Sequence, residues 1–176
     1  MASIPGEQEG NRVCNRVQRC GMRISMKGVY AVRAMVDLAV QSQNYPVTLA
    51  NIAVRQDISQ HYLEQLFMKL RRAKLVRSVR GPGGGYLLSK RPEEISVWDI
   101  LVAVDENLIP ADCGEAAYDE VNSCHRVSNC AVRGLFLELS ANIRAFLGKV
   151  SLASLCDENN RLGRDNVVRR GVVFQI

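Results

Sequence analysis

The chain has 176 residues, of which 47% are hydrophobic and 23% are charged, and its formal net charge is +5. This length suits one domain, or one small domain with an extension. No apolar run approaches the roughly 18 residues needed to span a bilayer, and the first 21 residues lack the apolar core of a signal peptide. These features argue against a membrane-spanning or exported protein and predict a cytoplasmic one.

The charge is distributed unevenly along the chain. Residues 23–90 contain 11 Lys and Arg against 3 Asp and Glu, a net charge of +8, whereas residues 91–130 contain 2 against 9, a net charge of −7. A basic segment joined to an acidic one predicts a polyanionic partner for the basic segment alone. The alternative is a basic surface that only keeps the protein in solution, and a charge of +8 argues against it.

The first part of the chain predicts a leader and two helices. Residues 1–21 have no apolar periodicity and few large apolar side chains, so we expect them to be disordered. Apolar residues then recur at helical spacing over residues 26–42. The predicted buried face of this helix consists of Val29, Val32, Met35, Val36 and Ala39. A second, short helix is expected to follow, with Thr48 as its N-cap.

The next stretch has a stronger pattern. Four apolar residues, Leu63, Leu66, Phe67 and Leu70, stand at i, i+3, i+4 and i+7, which predicts one buried stripe of a helix. The opposite face carries polar side chains that can contact base edges, and the end of the helix carries cations that can contact phosphates. The predicted DNA contacts of this helix and its N-cap are Ser59, Gln60, His61, Glu64, Gln65, Lys69, Arg71 and Arg72.

Two short β-prone runs follow, on either side of the glycine-rich run 81–85. The glycines permit the positive φ angles of a tight hairpin. A phosphate-cradling loop is the other interpretation, but no Gly-Lys-Ser/Thr follows. Arg77 and Arg80 lie beside the turn and are predicted to enter a minor groove, where narrow A·T tracts attract arginine. Helices followed by a basic hairpin predict a winged helix-turn-helix; a plain three-helix bundle without a DNA partner is the alternative.

Two further helices are predicted after the hairpin. Ser96 and Asp99 form a capping-box-like pattern at the start of the first. Apolar residues then recur at three- and four-residue steps from about residue 131 to 150, which predicts a helix about 30 Å long. We expect its apolar stripe to pack against a second copy in a symmetric dimer, with packing back on its own domain as the alternative. The predicted dimer interface consists of Leu135, Leu139, Ile143 and Phe146.

These elements predict a mainly α protein with a small β wing. Residues 22–92 are expected to form a winged helix-turn-helix DNA-binding domain. Residues 93–158 are expected to form a ligand-binding loop and dimerisation helices, of which the last is short, is capped by Ser151 and ends near Cys156. A disordered tail is expected over residues 159–176.

The six cysteines are expected to be reduced, because the protein is predicted to be cytoplasmic. Metal binding or redox chemistry is therefore expected rather than a disulfide framework. Cys113, Cys124 and Cys130, together with His125, are a candidate tetrahedral zinc site. One reading of these residues is therefore a thiol-redox or zinc-responsive regulator. No nucleotide-binding loop or catalytic arrangement in the sequence supports an enzyme.

Four segments of the chain carry a resemblance to one family. They are similar to the IscR-like iron–sulfur cluster regulators of the Rrf-type transcription factors: residues 27–32, 62–67, 75–88 and 103–106. The resemblance implies a homodimeric winged-helix regulator that binds a double-stranded DNA operator. It also implies repression or activation of genes for iron–sulfur cluster assembly. By the same resemblance Glu64 and Gln65 face bases, Glu64 helps to select the operator class, and Arg80 enters the minor groove.

The resemblance further implies a cofactor, a [2Fe-2S] cluster held by three cysteines and by a histidine three residues after the third. It also implies scaffold proteins that donate the cluster as partners. The three cysteines correspond to Cys113, Cys124 and Cys130, with a longer first gap than is usual in the family. The histidine position is occupied by Arg133, whose protonated guanidinium has no lone pair to offer. His125 is the candidate fourth ligand. The alternatives are an acidic side chain of the same loop (Asp112, Glu115 or Asp119) and an open site filled by solvent.

Overall fold

The computed structural model describes residues 24–42, 45–106, 108 and 130–171, with side chains described as far as residue 163. Within these ranges the elements are, in chain order, α1 (Met26–Gln41), α2 (Leu49–Gln56), α3 (Gln60–Arg72), β1 (Val76–Val79), β2 (Gly85–Leu88), a 3-10 turn (Pro92–Glu94), α4 (Val97–Ala103), α5 (Arg133–Lys149) and α6 (Leu152–Gly171). The predicted fold, mainly α with a small β wing, is confirmed. None of the described helices is both long and apolar enough to cross a membrane.

The predicted helix caps are present at the starts of α2 and α3. The Thr48 side chain accepts a hydrogen bond from the backbone N–H of Asn51, and Ser59 does the same for Tyr62. Each bond satisfies an N–H group that has no partner within its own helix. Asp57, at φ 53°, adopts the left-handed conformation that ends α2 and turns the chain into α3. The helix-turn-helix is therefore built by local interactions that the sequence makes visible.

The orientation of α3 is set by its apolar face. Leu63, Leu66, Phe67 and Leu70 are at most 2% exposed, which confirms the predicted stripe. Each such side chain contributes about 1.5–3 kcal/mol relative to an exposed one. Phe67 also packs edge-to-face against Tyr86 of β2, with ring centroids 4.9 Å apart. This contact fixes the hairpin against the recognition helix.

The helix α1 has the predicted length, but its buried face only partly matches the predicted one. Val29 is 37% exposed and its neighbours Val32, Val36 and Ala39 are only partly buried, whereas the fully buried stripe is Ala31, Ala34, Met35 and Leu38. The small side chains permit close helix packing. Asp37 also fixes the rotation of the helix, because its carboxylate is 5% exposed and pairs with Arg55 of α2 at 2.7 Å. The prediction was confirmed for Met35 and wrong for Val29, and it missed the smaller alanines at the centre of the buried stripe.

The hairpin has a regular antiparallel register, with Val76 opposite Leu88 and Val79 opposite Gly85. Gly81 and Gly83 in its turn have φ angles of 106° and 75°, so the turn needs glycine there as predicted. Val47 forms an isolated antiparallel bridge with Tyr86 and thereby joins the entry of α2 to the hairpin. The wing is thus attached to the helix-turn-helix by backbone as well as by side chains.

The C-terminal helices differ from the prediction in one respect. The capping box of Ser96 and Asp99 starts α4 as expected. The last helix, however, extends over 20 residues, Leu152–Gly171, so the short helix and the disordered tail over residues 159–171 were wrong. The sequence-based reading took polarity for disorder, but a polar helix can be supported by short-range ion pairs such as Glu158–Arg161, at 2.6 Å. The predicted leader and residues 172–176 lie outside the described residues.

Candidate nucleic-acid interface

The solvent-facing side of α3 is polar. Because its apolar stripe is buried, four of the predicted base-reading side chains are exposed: Gln60, His61, Glu64 and Gln65. Ser59 precedes them at the N-cap, also in an exposed position. An exposed polar helix face of this width is what major-groove recognition requires, since base edges offer donors and acceptors to such side chains.

These side chains hydrogen-bond to one another in the free protein. Gln60 Nε2 donates to Glu64 Oε1 at 3.2 Å, and Gln65 Nε2 lies 3.2 Å from Nε2 of His61. The His61 Nδ1 atom is 3.8 Å from Glu64 Oε2. Exposed pairs of this kind contribute little free energy, so exchanging them for base edges costs little. The face is therefore ordered by its own contacts yet free to bind.

The cations at the end of α3 are not equivalent. Arg71 and Arg72 are exposed, and Arg72 contacts only the sulfur of Met68, at 3.8 Å, among the described side chains. Lys69 is 33% exposed, and its Nζ lies 2.7 Å from Oδ2 of Asp105. The sequence grouped the three together as phosphate contacts, but the structure pairs Lys69 with a carboxylate from the end of α4. The described geometry therefore leaves the two arginines available to an external anion.

The wing contributes two further cations. Arg77 on β1 and Arg80 at the start of the turn are both exposed. The contact between Phe67 and Tyr86 places this hairpin next to α3. The wing therefore extends the basic surface beyond the helix, as the sequence predicted.

A partly buried ion pair between α1 and α2 supports the helix-turn-helix and was not predicted from the sequence. Arg55 forms a bidentate pair with Asp37 through Nε and Nη2, at 2.9 and 2.7 Å. The Gln56 amide donates to the same carboxylate at 3.1 Å. The hydrogen bonds that Arg55 donates to the Asp37 carboxylate raise the pKa of Arg55. The available signal was an aspartate inside an apolar helix, because a charge in that position needs a partner.

A second set of contacts joins the end of α4 to the starts and ends of other helices. The Glu106 carboxylate accepts hydrogen bonds from the backbone N–H and the hydroxyl of Ser25, at 2.6 and 2.5 Å. Lys27 Nζ donates to the carbonyl oxygen of Asp105 at 2.6 Å. Burial raises the pKa of Glu106, but the Ser25 hydrogen bonds and the Lys27 charge outweigh it and hold that pKa below its ordinary value. Asp105 and Glu106 thus form a charged turn below the DNA-reading helices, here called the 105–106 turn.

Of the predicted metal ligands, the structure describes Cys130 alone. Cys113, Cys124 and His125 lie outside the described residues. Cys130 is partly buried, and its carbonyl oxygen accepts a hydrogen bond from the N–H of Arg133 at 3.2 Å, just where α5 begins. Arg133 Nε is buried without a hydrogen-bond partner among the described residues, and no cluster of three metal-ligating side chains occurs among them. Cys130 suits a soft metal as a thiolate ligand, whereas Arg133 does not ligate.

The predicted dimer helix exposes its apolar stripe. Leu135, Leu139 and Phe146 are 62%, 38% and 68% exposed, and Ile143 is half-buried. The helix contacts α4, where the Arg144 guanidinium lies over the Trp98 ring at 5.6 Å from its centroid. Packing back on its own domain, the alternative weighed from the sequence, does not bury this stripe within the described chain.

Comparison with known proteins identifies the family. A family model described as "Rrf2: Iron-dependent Transcriptional regulator" matches residues 24–158. The chain belongs to the Rrf2 family of transcriptional regulators. Proteins of this type are helix-turn-helix DNA-binding regulators rather than enzymes, which agrees with the winged-helix geometry described above.

Several Rrf2 proteins are similar over most of the chain. The HTH-type transcriptional regulator IscR of Aliivibrio salmonicida is 46% identical over 138 residues, which is 78% of this chain and 79% of the relative. IscR of Photorhabdus laumondii is 46% identical over 153 residues, 85% of this chain and 90% of the relative. Among solved structures, CymR, the global cysteine regulator of B. subtilis, has a TM-score of 0.62 at 33% identity and covers 78% of this chain and 98% of its own. T. potens IscR has the same TM-score and identity and covers 79% and 89%. The resemblance to IscR-like regulators is confirmed.

Proposed function

We propose that this Rrf2 regulator reads a double-stranded DNA operator with α3 and its wing, acts as a homodimer, and senses an iron–sulfur cluster held by its cysteines. The observation that carries the DNA-reading role is the division of α3 into two faces. Its apolar stripe is at most 2% exposed, while Gln60, His61, Glu64 and Gln65 all face solvent. Since the buried face fixes the helix, the exposed face is presented in one defined orientation.

The chemistry of the exposed side chains assigns their roles in the proposal. Gln65 can pair with adenine through its amide, and Glu64 can accept from the amino group of cytosine. Ser59, Gln60 and His61 lie at the start of the helix, the end that commonly approaches base edges in helix-turn-helix proteins. Arg71 and Arg72 contact phosphates, and the wing enters the minor groove with Arg80 and the neighbouring Arg77.

Comparing a base-reading variant with a phosphate-binding variant tests these roles. With a duplex selected by the wild-type protein, Gln65→Ala is expected to cost about 1–3 kcal/mol and to relax sequence preference at one position. Arg71→Ala is expected to weaken binding equally on all sequences and to lower the salt slope by about 0.9. If Gln65→Ala weakens all sequences equally, α3 does not read bases through that residue.

The homodimer is supported by the uncovered apolar stripe of α5. Leu135, Leu139 and Phe146 on one face of a 17-residue helix present a continuous surface that a second copy can bury. Two copies related by a twofold axis would place two recognition helices on two half-sites, which is how DNA readers of this size gain affinity. A dimer formed through α5 would have twofold symmetry, and we expect the operator to have the same symmetry.

The cluster-sensing role is supported by the cysteine spacing and by the relatives named IscR. Cys113, Cys124 and Cys130 would hold the cluster, with His125 as the candidate fourth ligand. A cluster with three thiolates and one other ligand responds to oxidants and to iron supply, and it suits a sensor. By analogy with these relatives, the regulated genes are those for iron–sulfur cluster assembly, and the scaffold proteins of that system would donate the cluster.

A thiol-redox or zinc-responsive regulator is the second candidate function. It is favoured by Arg133, which replaces the histidine ligand, and by the structural similarity to CymR, a cysteine regulator. Anaerobic purification followed by iron, sulfide, zinc and absorption measurements separates the two. The cluster proposal expects iron, acid-labile sulfide and a visible absorption band. Zinc without sulfide, or no metal at all, would replace it with the second candidate.

The paired variants Cys130→Ser and Cys156→Ser show whether the expected cluster uses the proposed cysteines. Burial raises the pKa of the Cys156 thiol, and the charges of Asp157 and Glu93 add to this effect, so Cys156 is a poor thiolate ligand. We expect Cys130→Ser to abolish the visible band and Cys156→Ser to retain it. Loss of the band in both variants would argue against a site that depends on Cys130 specifically.

A further inference from the structure

Three helices meet at the 105–106 turn. Lys69, in the last turn of α3, pairs with the Asp105 carboxylate at 2.7 Å. Lys27, in the first turn of α1, donates to the backbone carbonyl of the same residue at 2.6 Å. Glu106 accepts from Ser25, the N-cap of α1, through both the N–H and the hydroxyl. The turn that follows α4 is therefore bonded to the start of α1 and to the end of α3.

The backbone of this turn is held in one unusual conformation. Asp105 has φ 53°, in the left-handed region that residues other than glycine adopt infrequently. The Asp105 and Glu106 N–H groups donate to the carbonyl oxygens of Val102 and Leu101, at 3.0 Å each. The Glu106 side chain is 4% exposed, and its two hydrogen bonds to the exposed Ser25 hold it against the start of α1. These bonds fix the backbone of Asp105, and its exposed side chain reaches Lys69 from that position.

The opposite end of the ion pair lies on the recognition helix. The apolar stripe of α3 fixes the rotation of the helix about its axis, because it is buried along its whole length. The 2.7 Å contact of Lys69 adds a constraint at the C-terminal end, four residues after the exposed Gln65. Lys69 is already paired with a carboxylate, so a phosphate contact would require it to exchange that partner.

Building on the DNA-reading role proposed above for α3, we propose that the 105–106 turn positions the recognition helix. In this role Lys69 is a structural strut between α3 and Asp105, and it does not contact a phosphate. Asp105 and Glu106 are positioning residues, since they act on DNA only through the helices that they hold. In sequence the turn directly precedes residues 107–129, which contain two of the proposed cysteine ligands. The strut is thus the contact through which a change at the end of α4 reaches the DNA-reading face.

Exchanging the two charges tests the strut directly. The variants are Lys69→Asp, Asp105→Lys and the double exchange, which keeps the net charge of the wild type. Lysine is compatible with the backbone at position 105, because Lys74 in the same chain has φ 58°. Lys149→Asp, at the end of α5, is the control for the change in net charge, and Asp105→Asn is a milder variant that removes the charge alone.

Binding is measured with full-length protein on a duplex that the wild type selects from a random pool, together with thermal unfolding of every variant. We expect each single reversal to lower affinity several-fold, because it replaces the attraction of an exposed pair with a repulsion of similar size. The double exchange is expected to restore affinity to within about twofold, and Asp105→Asn to weaken binding without changing the salt slope. Lys149→Asp is expected to weaken binding less than Lys69→Asp.

Any of the following results would contradict the proposed role of the Lys69–Asp105 ion pair. A double exchange that binds as weakly as Lys69→Asp would show that Lys69 contacts DNA itself. Tighter binding by Asp105→Asn would show that Asp105 competes with DNA for the lysine. If the selected duplex binds the wild type and Asp105→Asn equally, the turn does not position α3. Failure of the wild type to select any duplex would instead refute the DNA-reading role on which the strut depends.

Discussion

Two carboxylates of the described chain are held out of water by partners on neighbouring elements, and both support the DNA-reading helices. The side chains of Asp37 and Glu106 are 5% and 4% exposed. Asp37 ties α1 to α2 through Arg55, and Glu106 ties the end of α4 to Ser25. Arg55 and Ser25 are themselves exposed, so removing either partner is expected to cost less than the roughly 3–5 kcal/mol of a fully buried ion pair. At the scale of single residues, these carboxylate contacts help to fix the positions of the helices relative to one another.

The lowered pKa of Glu106 leads to a prediction about acid stability. A carboxyl group whose pKa is lower in the folded state stabilises the fold above its ordinary pKa of 4.5, and this stabilisation is lost as the pH falls through the lower folded value. We therefore expect Glu106→Gln to reduce the free energy of unfolding at pH 7. The difference from the wild type should shrink as the pH falls below about 4.5 and through the lowered pKa of Glu106.

Urea unfolding at a series of pH values measures this difference. Ser25→Ala removes the donor hydroxyl, so it should reproduce part of the loss over the same pH window. A difference between Glu106→Gln and the wild type that stays constant from neutral to acidic pH would show that the Glu106 charge does not stabilise the fold.

At the scale of elements, local patterns in the sequence were sufficient where neighbouring residues alone build the structure. The stripe of α3, the caps Thr48 and Ser59 and the glycine turn of the wing are all encoded within a few residues, and the structure has them as predicted. The rotation of α1 was missed because it depends on contacts with other helices. Alanines and a paired aspartate at that interface override the larger valines.

Other features were missed for different physical reasons. Lys69 and Asp105 are 36 residues apart in sequence, so no periodic pattern in the sequence predicts their ion pair. The length of α6 was missed because its residues are mostly polar, and polarity alone does not distinguish an exposed helix from a disordered segment. The proposed ligand set rests on sequence spacing and resemblance, because the structure describes Cys130 alone among its members.

The wing is expected to act through one arginine at its turn. Arg80 is exposed beside a turn whose glycines hold φ angles of 106° and 75°. Arg80→Ala is expected to weaken DNA binding and to reduce the slope of log affinity against log salt by about 0.9, because one phosphate or groove contact is lost. Binding assays across salt concentrations measure this slope. If Arg80→Ala leaves both the affinity and the salt slope unchanged, the wing does not contact DNA through Arg80.

At the scale of the whole molecule, the exposed stripe of α5 points to assembly. Leu139→Asp is expected to place an unpaired charge in the proposed dimer interface, at a cost of several kcal/mol. The dimer should dissociate and lose operator affinity while the winged domain stays folded, since α5 has no buried residue in the single chain. Ala141→Asp is the matched control, because it adds the same charge at an exposed position of α5 outside the stripe.

Sedimentation equilibrium at micromolar concentration measures the assembly of both variants. Dimeric wild-type protein, a monomeric Leu139→Asp variant and a dimeric Ala141→Asp variant are the expected results. If the wild-type protein is monomeric at that concentration, the exposed stripe of α5 does not bind a second copy.

The basic charge of the helix-turn-helix and wing and the symmetry expected from α5 together define what the molecule should bind. Residues 23–90 carry a net charge of +8, and the segment that follows is acidic. A dimer of this design should recognise two half-sites that are one helical turn apart, about 10 base pairs, or a multiple of that distance. Its affinity should fall steeply with salt, because each neutralised phosphate adds about 0.9 to the log–log slope.

Selection of duplexes from a random pool by the wild-type protein tests the DNA-reading role most directly. The sequences recovered are expected to contain two related half-sites with this spacing, and binding to them is expected to be much tighter than binding to unselected DNA at the same salt concentration. Recovery of no common sequence, with equal affinity for selected and unselected duplexes, would contradict it.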